Sequence, residues 1–354
     1  MSTAPGRSAP ATTTIRRWNR LSAGFTGGFG LVIVALAFVP VVAHASTVQD
    51  LTALLTLILM AVMWNALAGY GGLVSVGLQA YIGLGAYATV WFALKGINPY
   101  WGMILATLFC AVVAIPLSFI VLRFRGAQFA IGTWVVAEAI GIYIGLDNQL
   151  GAGTGTSLSQ LDSYSSSTRE HITYWLSLGM TVFFSVVVFA LLRSRLGASL
   201  QAIRDDEEAA ASVGVRVLAG KRVLFLLASA GCGAAGALTV ANILFIQPTS
   251  IFSVNYSAFM IFMVLVGGIG TFEGPILGAL ILYFIQQEFG NDGTWYLIGL
   301  GATAIVFAVL FPRGLWGMFE DRTGWRFLPV GYSVKRTVAA PLSDRPSDAV
   351  EASS

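Results

Sequence analysis

Residues 100–125 read Y-W-G-M-I-L-A-T-L-F-C-A-V-V-A-I-P-L-S-F-I-V-L-R-F-R. From Tyr100 to Leu122 no charged residue interrupts the run, and Arg123 and Arg125 close it. A helix of that length spans the roughly 30 Å of hydrocarbon in a bilayer. Arginines just past the end of such a span favour the cytoplasmic face. Nine further apolar segments share this character. They run over 25–45, 51–69, 73–94, 127–146, 172–192, 222–246, 257–271, 275–289 and 294–312.

The composition agrees. Of 354 residues, 56% are hydrophobic and only 10% are charged, against about 25% in soluble domains. So few charges cannot cover a water-soluble surface of this size. The net charge of +3 offers no nucleic-acid footprint. Cys110 and Cys232 lie inside apolar runs and read as small buried hydrophobes, and His44 and His171 sit at segment edges. Neither pair makes a metal site or a disulfide framework.

Cation placement sets the topology. Arg16, Arg17 and Arg20 precede the first span, and Arg123 and Arg125 follow the fourth. Arg193, Arg195, Arg204, Lys221 and Arg222 lie between the sixth and seventh, and Arg313, Arg322 and Arg326 follow the tenth. All four clusters share the cytoplasmic side if ten crossings are counted. Merging the short eighth and ninth segments into one would put the last cluster outside. Lys95 alone sits on the wrong side. The expected fold is therefore an all-α polytopic protein of about ten transmembrane helices, multi-pass in a bacterial inner membrane, with both termini cytoplasmic. Three regions are expected: an N-terminal tail, 1–24; a membrane domain, 25–318; and a C-terminal tail, 319–354. The tails are rich in Ser, Pro and Ala and read as disordered. Arg16-Arg17, the first apolar run and Ala43-His44-Ala45 also imitate a cleavable signal peptide; an uncleaved first helix is the preferred reading. Ten spans can divide five plus five, with the second half inverted. The glycine-rich stretches 69–85 and 267–278 are then candidate corresponding positions.

The polar loop 193–221 is the largest cytoplasmic excursion. Within it, Asp205 is placed to cap a short helix and Glu208 to complete a capping box. Ala209, Ala210 and Ala211 propagate that helix, and Gly214 terminates it. A helix of about two turns is marginal alone in water, so it makes sense as a surface for a soluble partner. An ordinary solvated loop helix is the competing reading. No phosphate-binding loop exists: Gly220-Lys221 is followed by Arg222, not Ser or Thr, and reads as the loop end before the seventh span. Inside the spans, Glu138 is the one acidic residue well within an apolar run. It faces either a pathway or a neighbouring helix. Gln79 and Thr133 are milder polar candidates for the pathway. The external loop 147–171 opens with Gly151-Ala152-Gly153-Thr154-Gly155-Thr156 and reads as a flexible contact segment or a spacer.

At Trp64-Asn65-Ala66-Leu67-Ala68-Gly69-Tyr70-Gly71-Gly72-Leu73-Val74-Ser75-Val76-Gly77 the sequence resembles the LivM-like permeases of branched-chain amino acid ABC transporters. Gly83-Leu84-Gly85-Ala86-Tyr87, Arg125-Gly126, Phe129-Ala130-Ile131 and Ala137-Glu138 continue the likeness. So do Ala202-Ile203-Arg204-Asp205, Glu208-Ala209-Ala210, Gly267-Gly268-Ile269-Gly270-Thr271, Gly274-Pro275 and Phe311-Pro312-Arg313-Gly314-Leu315. Glu273 departs from the pattern, which carries an apolar residue there, and can cap the ninth segment. The resemblance implies a type II importer-like fold and a non-catalytic transport subunit. It implies a homologous second permease, two cytoplasmic ATPases and an extracytoplasmic binding protein. No cofactor is expected on this chain, ATP being used by the partner ATPases. Arg204, Asp205, Glu207, Glu208, Ala209, Ala210 and Gly214 correspond to the loop that meets the ATPase. The implied substrates are branched-chain or related small amino acids, with urea, short amides or other amino acids as alternatives within the same family; a secondary transporter or channel not driven by ATP is the competing class.

Overall fold

The computed structural model describes residues 12–16, 20–290, 293–323 and 333–337. The rest of both tails lies outside the described residues. Strand β1 (Thr12–Arg16) leads into helices α1 (Arg20–Val42) and α2 (Ala45–Asn65). A wider, π-helical turn over Ala66–Tyr70 extends α2, and the chain then unwinds until α3 (Gln79–Leu94). Next come α4 (Pro99–Val121) and α5 (Ala127–Gly145), the two-residue strand β2 (Thr156–Ser157), and α6 (Ser166–Arg193). Two short helices, α7 (Arg195–Asp205) and α8 (Glu207–Ser212), precede α9 (Val217–Ile243). Strand β3 (Phe245–Ile246), α10 (Pro248–Ile251), α11 (Asn255–Gly267), α12 (Gly274–Phe289), α13 (Thr294–Leu310), α14 (Gly314–Thr323) and β4 (Ser333–Thr337) complete the order. β1 pairs antiparallel with β4, and β2 with β3.

Seven of these helices, counting each with the turn or short helix that extends it, are long and apolar enough to cross a membrane. The remaining segments are shorter for a local reason. The third expected span, 73–94, is unwound at its start, so α3 keeps only 16 residues. α12 likewise has 16, because the chain from Gly268 to Glu273 is a loop. Each covers about 24 Å at 1.5 Å per residue. The apolar part of α1 is Gly27–Val42. The eighth and ninth segments are separate helices that pack as a hairpin, and Pro275 sits in the first turn of α12, where its missing N–H costs nothing. Glu273 stands at the N-cap position of α12 without a side-chain capping bond.

Contacts collect at two ends of the bundle. One end gathers the unwound stretch after α2, helices α7 and α8, and the loop 268–273. The other gathers the β2–β3 ladder, the Asn98–Tyr164 hydrogen bond (2.8 Å) and the Gln49–Glu170 hydrogen bond (2.9 Å). The glycine-rich stretches 69–85 and 267–278 meet at the same end. Inverted halves would put corresponding segments at opposite ends, so these two are not a corresponding pair.

The core forms where α9 passes between α2, α3 and α4. Lipid supplies no hydrophobic drive between helices, so small residues must bring the backbones close enough for dispersion contacts. α9 carries Gly231-Cys232-Gly233-Ala234-Ala235-Gly236 along this seam, all buried. Gly85 of α3 lies against the Gly233 backbone, and Gly236 lies against the Ile82 carbonyl. A Cβ at Gly85 or Gly236 would overlap backbone, which has no way to yield. α1 belongs to the bundle as well: the Tyr174 hydroxyl donates to the Leu36 carbonyl (2.8 Å) and the Trp175 indole to Ala37 (3.2 Å). Gly236→Val should cost about 1–3 kcal/mol through overpacking. Gly179→Val, on α6 where a Cβ meets open space, should be tolerated. Thermal denaturation of the two purified variants in detergent checks the contrast; equal melting would refute this packing.

Candidate functional site

The polar excursion 193–221 folds as two helices rather than one. Ser194 caps α7, accepting from the Leu196 N–H. The cap of α8 is Asp206, not Asp205. Asp206 has extended backbone and its carboxylate accepts from Glu208 N–H (2.9 Å) and Ala209 N–H (3.0 Å), while Asp205 is still the last residue of α7. Glu208 closes no capping box: with the cap at Asp206 the third helical residue is Ala209, and the Asp206 N–H is already taken by the Ala202 carbonyl. Gly214 follows the helix with φ of 86°, a left-handed conformation that glycine adopts without a Cβ penalty.

α8 has two faces. Ala210 is buried, and Glu207 turns inward. Its carboxylate accepts from the Lys221 ammonium at 2.6 Å, with Arg125 at 3.9 Å. Lys221 therefore does not end a loop. It lies one turn inside α9 and is only 8% exposed. Asp205, Glu208, Ala209, Ser212 and Val213 face outward.

α7 reaches the helix breaks. Arg204 donates from Nη1 to the Gly69 carbonyl at 2.5 Å, inside the π-helical turn. Beside it, the Asn65 amide donates to the Thr271 carbonyl (2.8 Å) and accepts from the Gly270 N–H (2.9 Å). One side chain thus joins the break after α2 to the break after α11. A Cβ on Gly69 would overlap the Asn65 amide oxygen. The unwound stretch is satisfied from within, as a lipid environment demands. The Trp64 indole donates to the Ser75 carbonyl (2.9 Å), and Ser257 donates to the Val76 carbonyl (3.0 Å).

The three pathway candidates separate. Gln79 is fully buried; its Oε1 accepts from Ser257, and its Nε2 has no partner among the described residues. Thr133 is buried, accepting from Ser75 at 3.2 Å and donating to the Ala130 carbonyl at 2.9 Å. The void beside Thr133 is about 10 Å³, too small for more than one water. Glu138 is different. It lies on the exposed face of α5, and among the described residues its only hydrogen bond is from the Trp134 indole one turn back, at 3.1 Å. None of the three lines the cavity of about 390 Å³ between α3, α4 and α5, whose walls include Tyr87, Trp91, Phe109 and Ile144.

Comparison with known proteins now decides the family. Residues 46–311 match the family model described as the branched-chain amino acid transport system permease component. The chain belongs to that family. It is 29% identical over 318 residues to the LivM high-affinity branched-chain amino acid transport permease of Salmonella typhimurium, covering 80% of this chain and 73% of that protein. The Escherichia coli LivM protein is 28% identical over the same length and shares. No solved structure matches significantly. The branched-chain permease chain described here is thus a multi-pass membrane protein, and its family is a transport component rather than an enzyme.

Sequence reasoning offers no partner for Asn65, Lys221 or Arg125. Their common signal is a polar side chain inside or at the margin of an apolar run. Removing the Glu207 carboxylate leaves a buried cation without its partner, a loss of about 1.5–3 kcal/mol for a hydrogen bond to a charged group. Glu207→Gln should therefore melt earlier than the native chain, and Glu207→Gln with Lys221→Met should recover part of the loss. A double-mutant cycle on thermal unfolding in detergent measures the coupling; additive effects would show that the pair does not anchor α8.

Proposed function

We propose that this chain is the membrane-spanning permease of an ATP-driven ABC importer for branched-chain or related small amino acids. The carrying observation is α8: an exposed, capped helix whose inner face is fastened to α9 through Glu207 and Lys221. Its neighbour α7 grips a helix break through Arg204. Two soluble ATPases would push on the outward face made by Asp205, Glu208 and Ala209. Arg204 and Ala210 would pass that movement to the breaks after α2 and α11, and Gly214 would let α8 pivot. Switching those breaks alternates access between the two sides. ATP would be bound and hydrolysed by the ATPases and not by this chain. The printed names of the LivM relatives support the substrate class.

In this reading α1, α3 and α12 join the seven longer helices as ten crossings, with both termini cytoplasmic. The alternation of helices between the two ends of the bundle favours it, and the packing of α1 against α6 favours a retained first helix. A five-plus-five inversion would pair the break after α2 with the segment 244–254 at the opposite end. The second, homologous permease would cover α5. An ionised carboxylate facing hydrocarbon is costly, so Glu138 belongs at a seam or a water-lined pathway, where it could meet a substrate ammonium. Gln79 and Thr133 sit behind that face and position α3 and α5. An extracytoplasmic binding protein would deliver substrate to the end bearing 147–171.

Reconstitution with the partner permease, ATPases and binding protein tests this. ATP-dependent uptake of labelled leucine should be blocked by isoleucine and valine. Ala210→Pro deletes the N–H that bonds the Asp206 carbonyl at 3.0 Å. It should lower uptake by about 5–150-fold, the range of typical coupling energies, while ATP hydrolysis continues. Normal coupled uptake in that variant would overturn the assignment of α8. Competition by urea alone would keep the mechanism and replace the substrate.

A further inference from the structure

A cavity of about 550 Å³ opens where the ends of α4 and α9 meet α8. Phe119, Leu122 and Leu218 supply its apolar lining. Arg123, Arg125 and Arg222 supply its cations. Two carboxylates, Glu207 and Glu208, also line it. Glu207 is already matched by Lys221 and Arg125, which leaves Arg123 and Arg222 against Glu208. Arg222 is held in place: its guanidinium lies 3.9 Å from the centroid of the Phe119 ring, and its Nε is buried with no hydrogen-bond partner among the described residues. A guanidinium on a cavity wall, with one N–H unpartnered among the described residues, favours an anion there. The placement is equally specific. At the end of α4 the apolar Phe119 and Leu122 give way within one turn to Arg123, the same gradient that an anionic phospholipid presents from chain to headgroup.

We propose that this cavity holds the phosphate of an anionic phospholipid against Arg222 and Arg123, with an acyl chain along Phe119 and Leu122. A phosphate there would sit beside the Glu207–Lys221–Arg125 cluster that fastens α8. The bound lipid would therefore stiffen the mounting of α8 on α4 and α9. Lipid binding follows from the cavity alone; only its effect on transport rests on the coupling role proposed above for α8.

The test uses the full chain, delipidated and returned to nanodiscs. Native mass spectrometry should show phosphatidylglycerol retained over phosphatidylcholine. Arg222→Gln and Arg123→Gln should each reduce that preference on the order of fivefold, the factor expected for one cation near an anionic surface. Arg195→Gln, on α7 and outside the cavity, should leave it intact. Melting of the variants in pure phosphatidylcholine discs should match the native chain, which separates lost binding from misfolding. Equal retention of both lipids by the native chain, or a preference that survives both substitutions, would overturn the proposal. Displacement of phosphatidylglycerol by millimolar inorganic phosphate would mark a free-phosphate site and overturn the lipid source. A photo-crosslinker at Phe119 that captures the ATPase in the assembled complex, and not lipid, would also overturn it. Loss of leucine uptake with retained lipid preference would count against the coupling reading and leave the lipid site standing.

Discussion

Asn65 gives an N–H to Thr271 and takes one from Gly270, and the organisation of one whole end of the bundle follows from that exchange. Two helices stop there, one after α2 and one after α11. Each stop exposes backbone groups that hydrocarbon cannot satisfy. A single amide closes both, because it offers a donor and an acceptor in one plane. Gly69 can then lie flush against the amide, and its carbonyl turns toward Arg204. The break in one helix becomes the docking point of a helix more than a hundred residues later.

The anchoring of α8 uses a different physics. Six residues cannot hold themselves helical in water, so α8 depends on Asp206 at its start, Gly214 after its end and Glu207 on its inner face. A carboxylate on a buried ammonium is directional in a way that Ala210 alone is not. The outward residues are left free of structural duty. That division, with one face fixed and one face open, is what a surface that receives a push requires.

Much of this was legible in the sequence, and the limits are physical. Uninterrupted apolar runs announced the long helices, because the bilayer demands length and little else. Gly214 announced the end of α8, because a positive φ is a local property. The cap moved by one residue, from Asp205 to Asp206, because α7 precedes α8 without a gap. The choice between two adjacent aspartates depends on where the first helix stops. Lys221 read as a loop residue because a cation inside a span needs a partner fourteen residues away that sequence does not display. The unwound start of the third segment was hidden for a related reason. Leu73, Val74 and Val76 look apolar enough for a helix, and only the Trp64, Ser75 and Ser257 contacts show how an extended backbone survives there.

Glu138 carries the remaining argument. Within the chain, polar groups at span depth are either tied to a carbonyl, as in Thr89 on Gly85, or packed inside, as in Thr133 and Gln79. Glu138 follows neither rule. Its one hydrogen bond among the described residues comes from an indole on its own helix, and its neighbours Trp134, Val135 and Ile142 are exposed as well. α5 is also the least supported of the long helices before α13, with only a small share of its surface buried. A helix so thinly packed, carrying an acid on its open face, is not a finished solution to a lipid environment. It becomes one when another protein surface or a wet pathway lies against it. The open face of α5 and the fastened inner face of α8 therefore place the two directions of assembly on different helices. Partners in the membrane and partners below it need not compete for the same side chains.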